Sequence, residues 1–184
     1  MFINKYMFTS TMVENKQKKD YEYFQKKGSI TQLDPSEKDF YLEYFKSAYD
    51  EDLEHSKNSL IKSPKWTIIA GYYAMHNISK YYLGLNFQIK ISLPEIHSAT
   101  IVAIKELVDN KEVKNLICEI EDFSEIEPLY FGLVKAKDER SKTQYYISKS
   151  NSAKKITLEK ANYFLNNVVE KYIQLMEKLI KNVN

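Results

Sequence analysis

Little in this chain can build a disulfide-stapled or turn-rich fold. Cys118 is the single cysteine among 184 residues, so no internal disulfide forms, which fits a reducing compartment. Four glycines and four prolines are too few for a sandwich or barrel, where a turn is needed roughly every ten residues. No run reaches the ~18 apolar residues of a membrane span. Residues Met1 to Asp20 lack a long apolar core followed by small residues, so a signal peptide is not expected and the expected location is cytoplasmic. A net charge of only +2 excludes a globally basic nucleic-acid footprint and leaves room for a local patch. There is no glycine-rich phosphate loop and no nucleotidyltransferase motif. The three histidines, His55, His76 and His97, are scattered, so neither a metal site nor a cofactor is expected.

What is present favours long helices. Hydrophobic residues make up 43%, enough for a core, and charged residues 28%, enough for a solvated surface. Lysine is abundant, whereas Arg140 is the sole arginine. Tyrosine (15 residues), asparagine and isoleucine are also common, a pattern of low-GC coding, so the tyrosines as a group carry no functional signal. Lysine would serve any ordinary surface role here. The planar, permanently charged fork of arginine is therefore read as a requirement at position 140.

Along the chain, residues 1–33 read as an arm or ancillary helix, with a short helix near 17–27 ended by Gly28. Residues 34–184 read as the main domain. Asp34-Pro35-Ser36-Glu37 has the form of a capping box and predicts a helix to about Leu60, with Tyr41, Phe45, Ala48, Leu53 and Leu60 near one face and Asp52 close to it. Ser63-Pro64 marks a break. Residues 66–83 are apolar nearly all round, which predicts a central helix ended by Gly84 and Asn86. Gly71 lies within it at a cost of ~1 kcal/mol against alanine, which close approach of another helix would explain. Residues 87–91 alternate like a strand but are read as an extended connection. Ser92-Leu93-Pro94-Glu95 is a second capping box, opening a helix to about Val108. Val113, Leu116, Ile117 and Ile120 predict another helix, broken before Pro128. A further helix carries Leu129, Leu133, Ala136 and Arg140, a polar loop covers 147–155, and a last helix spans 158–182. The sum is an all-α antiparallel bundle of five to six helices.

In this order the segments resemble a HEPN domain. KWTIIAGYYAMHNISKYYL resembles the aromatic second helix of that family. EIHSATIVAIKEL resembles its third, with a histidine near the start. KAKDERSKTQYY resembles the late arginine segment, and TLEKANYFLNNVVEKYIQLMEKL the closing helix. The resemblance covers about residues 26–182. It implies an antiparallel bundle that forms a homodimer, with two arginine motifs facing a shared cleft. It also implies RNA or nucleotide as ligand. In many members it implies metal-independent ribonuclease activity as a toxin paired with a nucleotidyltransferase-type antitoxin.

In the active family pattern, arginine stabilises the charge that builds on the scissile phosphate, histidine moves protons, and the 2′-hydroxyl attacks. Arg140 matches the arginine. Tyr145 and Tyr146 stand where a histidine would follow, and a tyrosine, with a free pKa of ~10, is a poor base at neutral pH. It still donates a hydrogen bond or stacks on a base. The candidate catalytic residues are Arg140, Tyr145 and His97. The candidate ligand-binding residues are Arg140, Tyr145, Tyr146 and Asp52, the last also a possible ion-pair partner that would lock Arg140 in place. Three functions stay open: an RNA- or nucleotide-binding module with weakened catalysis, a metal-independent ribonuclease, and a non-catalytic dimerisation scaffold.

Overall fold

A computed structural model describes residues 20–122 and 158–182. Within them the chain forms an all-α bundle: α1 (Tyr21–Lys26), α2 (Lys38–Ser59), α3 (Pro64–Phe87), α4 (Ile96–Leu107), α5 (Lys111–Asp122) and a last helix, α6. The last helix is continuous from Leu158–Phe164 through a π-helical turn, Leu165–Val169, to Glu170–Lys181. Two short strands, β1 (Ile30–Gln32) and β2 (Ile89–Ile91), pair antiparallel with Ile30 opposite Ile91. The segments expected to carry Pro128, Arg140 and the 147–155 loop lie outside the described residues.

The apolar composition of α3 puts it at the centre, as its sequence predicts. Sixteen of its 24 residues are buried, leaving almost no solvent face. It packs along α2 on one side and α6 on another, and meets α4 and β2. At Gly71 both α2 and α6 approach its backbone closely. A Cβ built there would lie 2.8 Å from Val169 Cγ2, 3.1 Å from Ser56 Oγ and 3.3 Å from the Phe164 ring. The glycine expected to end the helix, Gly84, instead lies inside it, where a Cβ would meet the Tyr41 ring at 2.9 Å. The helix stops four residues later, at Gln88, in a left-handed conformation (φ 53°).

Two polar clasps fix the neighbours of α3. Ser56 of α2 donates to the Thr67 carbonyl at 2.7 Å. Ser79 lies 2.7 Å from the Tyr172 hydroxyl of α6 and donates to the Met75 carbonyl. Since residues 164–169 meet Gly71 and Tyr172 meets Ser79, α6 runs in the same direction as α3.

Three local expectations are corrected. Asp34 does not cap α2. Its carboxylate accepts from the Ser36 amide (2.8 Å) and hydroxyl (2.7 Å), which turns the chain, and the helix begins at Lys38 after Glu37. Ser92 does not cap α4. Its amide and hydroxyl bond back to Ser29 and Gly28, and α4 begins after Glu95, which is left-handed with φ 61°. In both places a nearby backbone group competes for the short polar side chain. Residues 89–91 are a strand and not merely an extended connection, because residues 30–32 supply a ladder partner. Tyr41 then accepts a hydrogen bond from the Ile91 amide at 3.1 Å, joining the strand pair to α2. The short helix expected near 17–27 forms as α1. Phe24 and Ile30 are buried in the same core as α3, and Leu33 is buried nearby in sequence.

Helix propensity alone favours Gly71→Ala by ~1 kcal/mol. The contact with Val169 reverses the sign, since overpacking costs about 1–3 kcal/mol. The expected outcome is a net loss of stability, seen as a lower urea midpoint with an unchanged slope.

Candidate functional site

Polar residues inside an apolar helix have to be matched by partners from neighbouring helices or they oppose folding. Besides the hydroxyls of Thr67 and Ser79, those buried in α3 are His76, Asn77 and Lys80, spread over about one helical turn. Two groups of contacts result, and they adjoin.

The first lies between α3 and α4. The His76 ring, 0% exposed, stacks obliquely on Tyr72 with centroids 4.5 Å apart. It also meets the His97 ring nearly edge-on at 4.6 Å. His97 lies 5.4 Å from the Tyr72 ring and 5.9 Å from that of Tyr73. Neither ring nitrogen of His76 has a hydrogen-bond partner among the described residues. Such a group is rare in a folded interior and is costly when charged. Burial holds its pKa well below the usual histidine range, and the nearby His97 and Lys80 push the same way. His97 is pushed down to about 4, first by burial and then by the Lys80 charge. Both rings are therefore neutral at pH 7.

The second group bridges α3 and α2. The Asn77 amide donates to Asp52 Oδ2 at 2.8 Å. The Lys80 ammonium, on a side chain only 5% exposed, donates to Asn77 Oδ1 at 3.3 Å and sits 4.8 Å above the Phe45 ring. Burial lowers Lys80 to about 8, with the Asp52 charge opposing. Desolvation raises Asp52, against the hydrogen bond from Asn77, which lowers it. Lys80 remains mostly protonated at neutral pH, so the seam carries one buried cation, one half-buried carboxylate and two neutral imidazoles.

Of the residues singled out in the sequence, the structure brings His97 and Asp52 to opposite ends of this seam. Arg140, Tyr145 and Tyr146 lie outside the described residues. His76 is packed inside and His55 is exposed. The scatter of histidines along the chain is misleading, however, because His76 and His97 touch. No cluster of three or more metal-ligating side chains occurs among the described residues. Sequence reasoning passed over Lys80 and Asn77. The available signal was a cation and an amide within the otherwise apolar run from Trp66 to Leu83.

Neutral buried histidines make stability depend on pH with a definite sign. Their folded pKa values lie below the unfolded value of ~6.5, so the unfolded chain binds more protons between the two. Their contribution is fully present above pH 6.5. It is lost as pH falls toward 4, by up to about 1.4 kcal/mol per pH unit for each fully coupled group. The raised Asp52 acts in the opposite direction, so a comparison of variants isolates the histidines. Urea midpoints measured from pH 7.5 to 4 should fall in the wild type and fall less in His76→Phe. Parallel curves for the two proteins would show that His76 does not stay neutral on folding. Searches of protein-family models, curated proteins and solved structures return no match to this chain.

Proposed function

We propose that this chain is a HEPN-like module that binds RNA or nucleotide as a homodimer and cleaves poorly or not at all. The reading rests on the resemblance carried by the segments that form α3, α4 and α6, and on the all-α bundle they build. The observation that weighs binding over cleavage is the state of His97. It is half-buried against Tyr72, Tyr73 and His76, and its pKa is pushed down to about 4, first by burial. A histidine in that state cannot donate a proton to a leaving group near neutral pH, and the Arg140 segment offers only Tyr145 and Tyr146 in its place.

In this reading Arg140 grips a phosphate with its planar fork, and Tyr145 and Tyr146 stack on or hydrogen-bond to bases. One Asp52 oxygen is held by Asn77. In this reading the other meets a ligand amine or Arg140. No metal or cofactor takes part. A nucleotidyltransferase-type antitoxin is the partner class that accompanies such modules. No helix among the described residues is long and apolar enough to cross a membrane.

Two measurements test the reading. Affinity for a labelled mixed RNA pool should fall about tenfold in Arg140→Lys with the fold retained, since a point charge does not replace a forked contact worth ~1.5 kcal/mol or more. Equal affinity would remove Arg140 from the site. In EDTA the wild type should leave the same pool intact. Fragments ending in 2′,3′-cyclic phosphate, made by wild type and not by Arg140→Ala, would establish a ribonuclease instead. Light scattering at micromolar concentration should give twice the 21.7 kDa chain mass, and a monomer would rule out the shared cleft.

A further inference from the structure

The outward side of α2 has the surface of a helix prepared for another helix. Phe40, Tyr44 and Ala48 form one row at intervals of four, and Glu43, Ser47 and Glu51 form the next. Two parallel rows of this kind leave between them the groove into which a second helix sets its own ridge. The six residues line a shallow groove of about 410 Å3, room for a few side chains of a partner and not for a folded domain. It runs ~16 Å along the helix. Phe40 is 75% exposed and Tyr44 58%. Tyr44, which lines the groove, stands edge-on against Phe45 at 5.0 Å.

The charge on this face has one sign. The second row carries Glu43 and Glu51, with Ser47 donating to Glu51 at 2.8 Å, and neither row carries a cation. The neighbouring Lys46 is already paired with Asp50 at 2.9 Å. From this complementarity we propose that the α2 face docks a basic amphipathic helix of a partner protein. Its apolar side chains, at three- and four-residue spacing, fill the groove beside Phe40 and Tyr44. Its lysines or arginines meet Glu43 and Glu51. A second copy of this chain fits less well, since α2 packed on α2 would set the glutamate rows of two protomers together. The surface adjoins the Asp52 end of the seam, where the Glu51 charge helps raise the Asp52 pKa, but the proposal does not depend on the nucleic-acid reading.

The test uses the full-length chain and two labelled peptides of about 18 residues, ~27 Å as helices. One combines leucine and lysine in a helical amphipathic pattern, the other leucine and glutamate. Fluorescence anisotropy should show binding of the leucine–lysine peptide only. Phe40→Ala combined with Tyr44→Ala, both on an exposed face, should weaken it at least tenfold with an unchanged circular dichroism spectrum. Glu43→Gln combined with Glu51→Gln should weaken it several-fold and flatten its salt dependence. Undiminished binding in the aromatic double variant would overturn the proposal. A dimer of the free chain that becomes monomeric in that variant would also overturn it, by giving the face to a second copy. So would shifts of the Lys16–Lys19 amide resonances caused by Phe40→Ala without peptide, which would give the face to the N-terminal residues of this chain.

Discussion

At Gly71 two helices pack against the backbone of a third, with Val169 and Phe164 of α6 and Ser56 of α2 occupying the space a side chain would fill. This approach sets the spacing of the whole bundle. Because α3 is apolar nearly all round, it is stable only when enclosed, and close packing of both neighbours encloses it. The π-helical turn, Leu165–Val169, lies at the same level and places Val169 against the glycine. The clasps at Ser56 and Ser79 then satisfy hydroxyl groups that the packing has removed from water, and so fix the rotation of each helix about its axis.

Once the spacing is set, the polar turn of α3 has only the neighbouring helices to answer it. Asn77 and Lys80 reach α2 and find Asp52 and the Phe45 ring. His76 reaches α4 and finds His97. Breaking such a buried network is more costly than never having formed it, because the surviving charge is left without a partner. The Lys80 cation and the two imidazoles are electrostatically linked: the lysine charge helps keep both rings neutral, and Asp52 helps keep the lysine charged. The chemistry open to His97 therefore depends first on its burial and then on a charge carried by a different helix, 17 positions earlier in the chain.

Much of the helical frame was readable from periodicity. The central place of α3, the reason for Gly71, the end of α4 and the extent of α6 follow from patterns of apolar residues that survive any tertiary arrangement. Helix starts were read less well. At Asp34 and Ser92 the capping pattern is present, yet each side chain bonds elsewhere, to Ser36 in one case and to Gly28 in the other. A capping box specifies what a local segment is able to do, and a local or distant turn can offer the same oxygen a better partner. The strand at 89–91 was ambiguous for a related reason. Three alternating residues become a strand only if another segment lies alongside, and that segment is nearly sixty residues away.

By itself the sequence determined the helical class, the identity of the buried helix and the singular position of Arg140. These follow from composition, from a period of 3.6 residues and from the chemistry of one side chain. The tertiary structure decided which polar groups meet. It placed His76 against His97 and Lys80 near Asp52, and it left Phe40 and Tyr44 on the outer face of α2. Those outcomes depend on the rotation and spacing of whole helices. Both are set by volume at Gly71 and Gly84, so they appear only when all the packed surfaces are considered together.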